Sequence, residues 1–243
     1  MQHLTNCAMR KLVVKIYQIA IAIVLCAALC ATGTKISAVG DLDIVFCRSR
    51  EPTKKIALTF DDGPHPRFTE RILKILDKYG VKATFFVIGV NIQNYPEPLK
   101  KIYAAGHEIG NHSYSHDNVK DLDASTARVE MEKCEQVIRD TVGISTSVFR
   151  PPRGACNPDV LKSARELGYS VVLWSIDTLD WKGTSPLTVF KTVNGQISGG
   201  DIILMHDYTS GSNAACEALD SIIPELIAKG YEFVTVSELI GAS

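Results

Sequence analysis

The sequence predicts an α/β fold in which strands and helices alternate, and three observations carry that prediction. Short apolar runs recur from Lys55 onward, each followed by a helix-like segment. The helical segments stop at glycine again and again, the usual way for a helix to end. Several apolar runs lead directly into polar clusters rich in Asp, His and Arg. Alternation of this kind implies a mainly parallel sheet. Roughly seven βα units fit, which means a barrel or a large doubly wound sheet.

Composition bounds the rest. The chain has 243 residues, 46% hydrophobic and 22% charged, enough for one large domain or two small ones. No second domain, low-complexity stretch or long repeat stands out. The formal net charge of −1 argues against nucleic acid as a partner, because phosphate binding needs a basic surface. The chain is expected to act as a monomer.

Residues 1–31 differ from the remainder. Arg10, Lys11 and Lys15 precede a mostly apolar run from Ile16 to Ala31, and no acid occurs before Asp41. That is the layout of an export signal. A helix over that run spans ~24 Å, short of a hydrocarbon core of ~30 Å. Extending it back to Leu12 reaches spanning length and includes Lys15. The segment is therefore a cleaved signal peptide or an N-terminal membrane anchor. In both cases the basic flank stays inside and the remaining chain is exported to the cell envelope or beyond. Cys47, Cys134, Cys156 and Cys216 lie in the exported part, where disulfides are permitted but not required.

Residues 32–53 read as a linker or an extra edge strand. Ile56 to Phe60 is the first strand of the rhythm. Phe68 to Tyr79 places Phe68, Ile72, Ile75, Leu76 and Tyr79 on one helical face and ends at Gly80. Ala83 to Ile88 is a strand, and Pro96 to Ala105 a helix closed by Gly106. Asp123 caps a long helix that stops at Gly143. Asn157-Pro158 and Ser185-Pro186 each pair an N-cap with a first-turn proline. The helices they open run to Gly168 and to Gly199-Gly200. A last helix covers about 213–229, and Tyr231 to Val236 is a final strand.

The chemistry starts at Thr59-Phe60-Asp61-Asp62-Gly63-Pro64, where two adjacent carboxylates end a buried strand. Asp-Asp-Gly-Pro is also ordinary turn chemistry. Neighbouring carboxylates repel, however, unless a cation sits between them. Four more clusters share the placement: His112 to His116, Arg150 to Gly154, Asp177 to Trp181, and His206-Asp207. In a parallel barrel the strand C-termini share one face, so all five converge there. His112 and His116 are four apart, which in a helical turn puts both imidazoles on one side. With one carboxylate they make a two-nitrogen, one-oxygen metal site with an open position. His3, His65 and His107 read as structural or surface histidines.

Thr59-Phe60-Asp61-Asp62-Gly63, His112-x-x-x-His116, Arg150-Pro-Pro-Arg153-Gly154, Asp177-x-x-Asp180-Trp181 and Leu204-x-His206 resemble the five ordered motifs of the polysaccharide deacetylases. This carbohydrate esterase family, with its NodB homology domain, removes N- or O-acetyl groups from glycans. The resemblance covers about residues 54–240 and implies a distorted (β/α)7-type barrel in a single domain. It implies a divalent metal, zinc above cobalt, nickel or manganese, held by Asp62, His112 and His116. It makes Asp61 the general base, with Arg150 pairing it and keeping it ionised. It makes His206 the acid that protonates the departing amine, with Asp177 orienting it. Trp181 and Leu204 would wall the acetyl pocket. A backbone N–H near Arg153, in the Pro152-Arg153 turn, would hold the oxyanion.

Many relatives carry an aromatic residue where this chain has Arg153. Its side chain would suit an anionic or lactyl-bearing glycan. The implied substrate is a cell-envelope polysaccharide, first of all N-acetylglucosamine of peptidoglycan. N-acetylmuramic acid, chitin oligomers and acetylated xylan are alternatives. Two readings of another class remain open: a non-haem iron oxygenase, which also uses two His and a carboxylate, and an inactive glycan-binding module.

Overall fold

The structure is a computed structural model that describes residues 42–116, 123–207 and 214–242. The proposed signal or anchor at 1–31, and Cys7, Cys26 and Cys30 within it, lie outside the described residues, as does the first part of the 32–53 segment. No helix among the described residues is long and apolar enough to cross a membrane.

Among the described residues nine strands form one curled sheet. In chain order they are β1 (Val45–Phe46), β2 (Lys55–Gly63), β3 (Thr84–Val87), β4 (Glu108–Asn111), β5 (Val148–Phe149), β6 (Ser170–Val172), β7 (Ile176–Asp177), β8 (Ile202–His206) and β9 (Glu232–Phe233). The spatial order is β1-β6-β5-β4-β3-β2-β8-β7, with β9 beside the start of β2. Every ladder is parallel. Among the described residues no ladder joins the two ends of that order, β1 and β7. An isolated antiparallel bridge between Arg48 and Asp201 instead ties the chain beyond β1 to the foot of β8. The expected distorted barrel is present, and the distortion is this opening.

The helices are α1 (Phe68–Tyr79), α2 (Gly89–Asn94), α3 (Pro96–Ala104), α4 (Ala124–Val142), α5 (Pro158–Glu166), α6 (Pro186–Gln196), α7 (Ala214–Ala228) and α8 (Val236–Ile240). Their starts follow from side chains that satisfy free backbone donors. Asp123 accepts from the N–H of Thr126, Asn157 from Val160 and Ser185 from Thr188. Gly80 and Gly143 take left-handed φ values of 64° and 76° and stop α1 and α4. Such φ values cost a Cβ-bearing residue energy, so glycine belongs there.

Alternation along β2 sorts the core. Ile56, Leu58 and Phe60 join the large cluster under the helices, where the Phe60 and Phe85 rings stack at 5.1 Å. Ala57 joins Phe86, Val148, Val172 and Ile202 on the opposite face, inside the curl. Val234, Val236 and Leu239 belong to that inner cluster. The N–H of Val236 donates to Thr84 Oγ1 at 2.9 Å, which ties α8 to β3. Thr59 and Asp61 follow Ala57 on the inner face, because successive side chains on a strand alternate.

Some expectations are corrected by the structure. The final strand is only Glu232–Phe233; Thr235 then opens α8 with a capping box, so Val236 is helical. Part of the 32–53 segment is an edge strand, since β1 pairs with β6. Helix α6 ends at Gln196, short of Gly199. A Cβ on Gly199 would lie 1.6 Å from the Thr53 carbonyl oxygen, so that glycine serves a close backbone approach. The disulfide state, left open by the sequence, is answered for three cysteines: Cys47, Cys134 and Cys156 are free thiols.

Candidate active site

Asp61 and Asp62 are adjacent on β2, and a regular strand would send them to opposite faces. The β2–β3 register shifts between Asp61 and Gly63, and Asp62 takes φ 73°. A bulge of this kind re-aims a side chain. Asp61 and Asp62 therefore line the same cavity. Asn91 Nδ2 donates to the Asp62 carbonyl at 2.8 Å and braces the turn.

Beneath Asp61 lies Arg150, fully buried directly after β5. Its Nη1 donates to Asp61 Oδ1 at 2.7 Å and to Thr59 Oγ1 at 2.8 Å. Nε and Nη2 donate to the carbonyls of Val172 and Leu173. The guanidinium carbon sits 4.1 Å from the centre of the Phe86 ring. A buried cation needs this many partners to offset its desolvation.

His112 and His116 meet Asp62, but not through a helical turn. Ser113 and His116 have φ values of 69° and 59°, so a left-handed loop brings the imidazoles together. Asn111 Oδ1 accepts from the Ser113 N–H, and Glu130 accepts from both the N–H and hydroxyl of Ser115. His112 Nδ1 lies 2.7 Å from the Arg150 carbonyl, which can only accept. Nδ1 therefore carries the proton, and Nε2 keeps its lone pair toward Asp62. Asp62 Oδ1 is 3.5 Å from His112 Nε2 and 3.2 Å from His116 Nε2.

Charge in this cluster is tuned from within. Burial opposes ionisation of Asp62, but the adjacent His112, with His206 and His116, holds its carboxyl below the usual range. Burial disfavours a charged His112, yet Asp61 and Asp62 outweigh it and raise its pKa. His116 is pushed down by burial and by His112. The donor atoms of Asp62, His112 and His116 lie within 4.8 Å of one another, and Asp62 Oδ1 is buried without a hydrogen-bond partner among the described residues. An orphaned carboxylate oxygen beside two imidazole nitrogens fits a divalent cation.

His206 closes β8, opposite Asp61 in register. Its Nδ1 is 2.8 Å from Asp180 Oδ1, and its N–H donates to Asp180 Oδ2, also at 2.8 Å. The expected partner, Asp177, is elsewhere: its Oδ1 accepts from the Leu179 N–H. The reason is local. The Val171 to Trp174 run does not lead straight to Asp177, because a separate short strand, β7, intervenes and pairs with β8. Leu179 then takes φ 56° and turns the chain so that Asp180, not Asp177, is buried against His206. Burial lowers the His206 pKa, but the Asp180 hydrogen bond and charge, helped by Asp61 and Asp62, raise it to about 9.

The cavity has a volume of about 420 Å³. Asp61, Asp62, His112, His116 and His206 line it together with Arg153, Asp177, Leu204, Trp181 and Trp174. Trp174 was not singled out from the sequence. Its signal was weak, since a tryptophan at the end of an apolar run reads as core. Arg150 and Pro152 are buried. Arg153 adopts φ 58° inside a short 3-10 turn, Pro152–Gly154. A Cβ on Gly154 would lie 3.0 Å from the Trp174 ring, so the turn presses on that wall. His107 is structural, as expected: it accepts the Ala83 N–H, and burial and Lys82 lower its pKa to about 4.

A parallel curled barrel with a carboxylate–imidazole cluster and an acid–base pair at its strand C-termini defines a hydrolase-like class of site. Residues 48–172 match the family model described as polysaccharide deacetylase. The chain is 40% identical over 190 residues to a peptidoglycan-N-acetylglucosamine deacetylase of Bacillus cereus, spanning 78% of this chain and 69% of that one. It is 41% identical over 191 residues to the peptidoglycan-N-acetylmuramic acid deacetylase PdaC of Bacillus subtilis, spanning 78% of this chain and 39% of that one. The crystal structure of the Bc1960 peptidoglycan N-acetylglucosamine deacetylase superposes with a TM-score of 0.81 at 37% identity, covering 86% of this chain and 98% of that one. This chain belongs to the polysaccharide deacetylase family.

Proposed function

We propose that this protein is a divalent-cation-dependent N-deacetylase of cell-envelope glycan, acting on N-acetylglucosamine of peptidoglycan. One observation carries the reading. Asp61, paired with the buried Arg150, and His206, paired with the buried Asp180, line one cavity with the Asp62–His112–His116 cluster. The names of the relatives support the glycan and the envelope location.

A cation held by Asp62, His112 and His116 would supply a Lewis acid for the acetyl oxygen and acidify a water molecule. The mixed nitrogen and oxygen donors suit zinc. Asp61, braced by Arg150, accepts the proton of the attacking water. A backbone N–H at the Arg153 turn donates to the oxyanion. His206, held protonated by Asp180, gives its proton to the departing nitrogen, because an amine leaves poorly as an anion. Leu204, Trp174 and Trp181 form the apolar wall for the acetyl methyl. In this reading Asp180 takes the orienting role, and Asp177 caps the turn that delivers it.

The test is mass spectrometry of purified peptidoglycan and of chitin oligomers after incubation with the zinc-loaded protein. Loss of one acetyl group per sugar with release of acetate is expected. Unaltered glycans and no acetate would overturn the proposal.

A further inference from the structure

Asp207 follows His206 and has no solvent exposure. Its Oδ2 accepts from Thr69 Oγ1 at 2.5 Å, and the same hydroxyl accepts the His65 N–H at 2.8 Å. Its own N–H donates to the Asp61 carbonyl at 3.1 Å. The carboxyl group lies against the backbone of Gly63: a Cβ there would fall 2.2 Å from Oδ2 and 2.6 Å from Cγ. Oδ1 is buried with no hydrogen-bond partner among the described residues.

A carboxyl group buried with one side-chain donor is a poor choice for stability, since burying an under-satisfied polar group is costly. An apolar side chain of that size would fill the space at lower cost. The contacts it makes indicate what is gained. They all converge on the turn from Asp61 to Thr69, which carries both carboxylates. Within that turn Asp62 holds φ 73°. A non-glycine residue in that region is strained and persists only when its surroundings over-determine it. Asn91 holds the Asp62 carbonyl from one side. The Asp207–Thr69–His65 chain and the steric press on Gly63 hold the other.

We propose that Asp207 is a positioning residue: with Thr69 it clamps the Asp61–Asp62–Gly63 bulge in the shape that aims Asp62 at His112 and His116. This rests on the reading of those three residues as a cation site. The clamp does not touch substrate, and its effect is felt through Asp62.

The experiment titrates zinc into metal-free protein against a chromophoric chelator, alongside thermal melts in chelator that confirm each variant is folded. Asp62→Ala is the control and should abolish competition. Asp207→Ala should weaken zinc binding by about 10–100-fold, the usual effect of losing a supporting contact behind a metal ligand. Asp207→Asn keeps the bulk and an acceptor oxygen, and should restore affinity close to the parent. Thr69→Val should follow Asp207→Ala by a smaller factor. A folded Asp207→Ala with parental affinity overturns the clamp. Should that variant not fold, parental affinity in Thr69→Val overturns it instead. If the parent itself binds no zinc, the cation reading fails and takes the clamp with it. Binding lost in Asp62→Ala but kept in both clamp variants defeats the clamp alone.

Discussion

Asp180 grips His206 with both carboxylate oxygens, one on the ring nitrogen Nδ1 and one on the backbone N–H, each at 2.8 Å. The double contact fixes the ring and favours its protonated form. Burial alone would push the imidazole down, yet its pKa stands raised to about 9. A raised value means that the acid is available at neutral pH and is lost as pH climbs through the raised value. The rate on an amide substrate should therefore decline on the alkaline side. Asp180→Asn should move that limb to lower pH, because burial then acts without its main opponent. Asp177→Asn should leave the limb where it is. Profiles of kcat/KM against pH for the two variants separate these outcomes, and a limb that shifts with Asp177 alone would return the role to that residue.

Asp61 and Arg150 form a buried ion pair, and the two partners fail differently. Asp61→Asn keeps an oxygen for Arg150 to donate to but no longer accepts a proton. Zinc binding should survive, and kcat should fall by about 10²–10⁴, the usual contribution of a general base. Arg150→Ala strips donors from Asp61, Thr59 and two carbonyls at once. Breaking a buried pair from one side destabilises by about 3–5 kcal/mol. The arginine variant should therefore show a large drop in Tm. The asparagine variant should show mainly a drop in turnover, and kinetics plus melting curves on the same samples check both.

The proposed cation site would tie activity to stability. Asp62 Oδ1 is buried without a hydrogen-bond partner among the described residues, so under the proposed reading metal-free protein would carry an uncompensated oxygen there. A ligand that binds only the folded chain raises its stability by about 2.7 kcal/mol at a hundredfold excess over Kd. Chelation should abolish turnover and lower Tm, and added zinc should restore both. His116→Ala should remove the zinc-dependent rise in Tm. Full activity in excess chelator would exclude the metal role.

Much of this was readable before any coordinates, for a physical reason. Strand ends in a parallel barrel share a face, so a polar cluster after each apolar run marks the site directly. Asp61, Asp62, His112, His116, Arg153, Asp177, Trp181, Leu204 and His206 all line the one cavity. What the text hides is local backbone geometry. His112 and His116 converge through positive φ angles at Ser113 and His116, which spacing mimics as a helical turn. The choice between Asp177 and Asp180 turns on the left-handed Leu179, and a non-glycine residue there has no sequence signature. Asn111 was equally hidden. It reads as the polar end of a strand, yet it bonds Met131, Tyr169 and Ser113 and so shapes the histidine loop.

Arg153 gives the last prediction. It lines the cavity from a 3-10 turn whose backbone is left-handed at that residue. Two roles are separable: the backbone N–H toward the oxyanion, and the guanidinium toward the glycan. Arg153→Tyr keeps the first and deletes the second. Peptidoglycan strands carry carboxylates on lactyl groups and stem peptides, whereas chitin oligomers are neutral. An exposed charge pair contributes about 0.2–1 kcal/mol, and a well-aligned guanidinium–carboxylate pair more. The tyrosine variant should show a raised KM on peptidoglycan by several-fold, an unchanged KM on chitin oligomers and a similar kcat on both. Equal kinetics on both glycans would mean that the side chain is idle and only its backbone serves. A loss of kcat on both would mean that the substitution disturbs the turn itself.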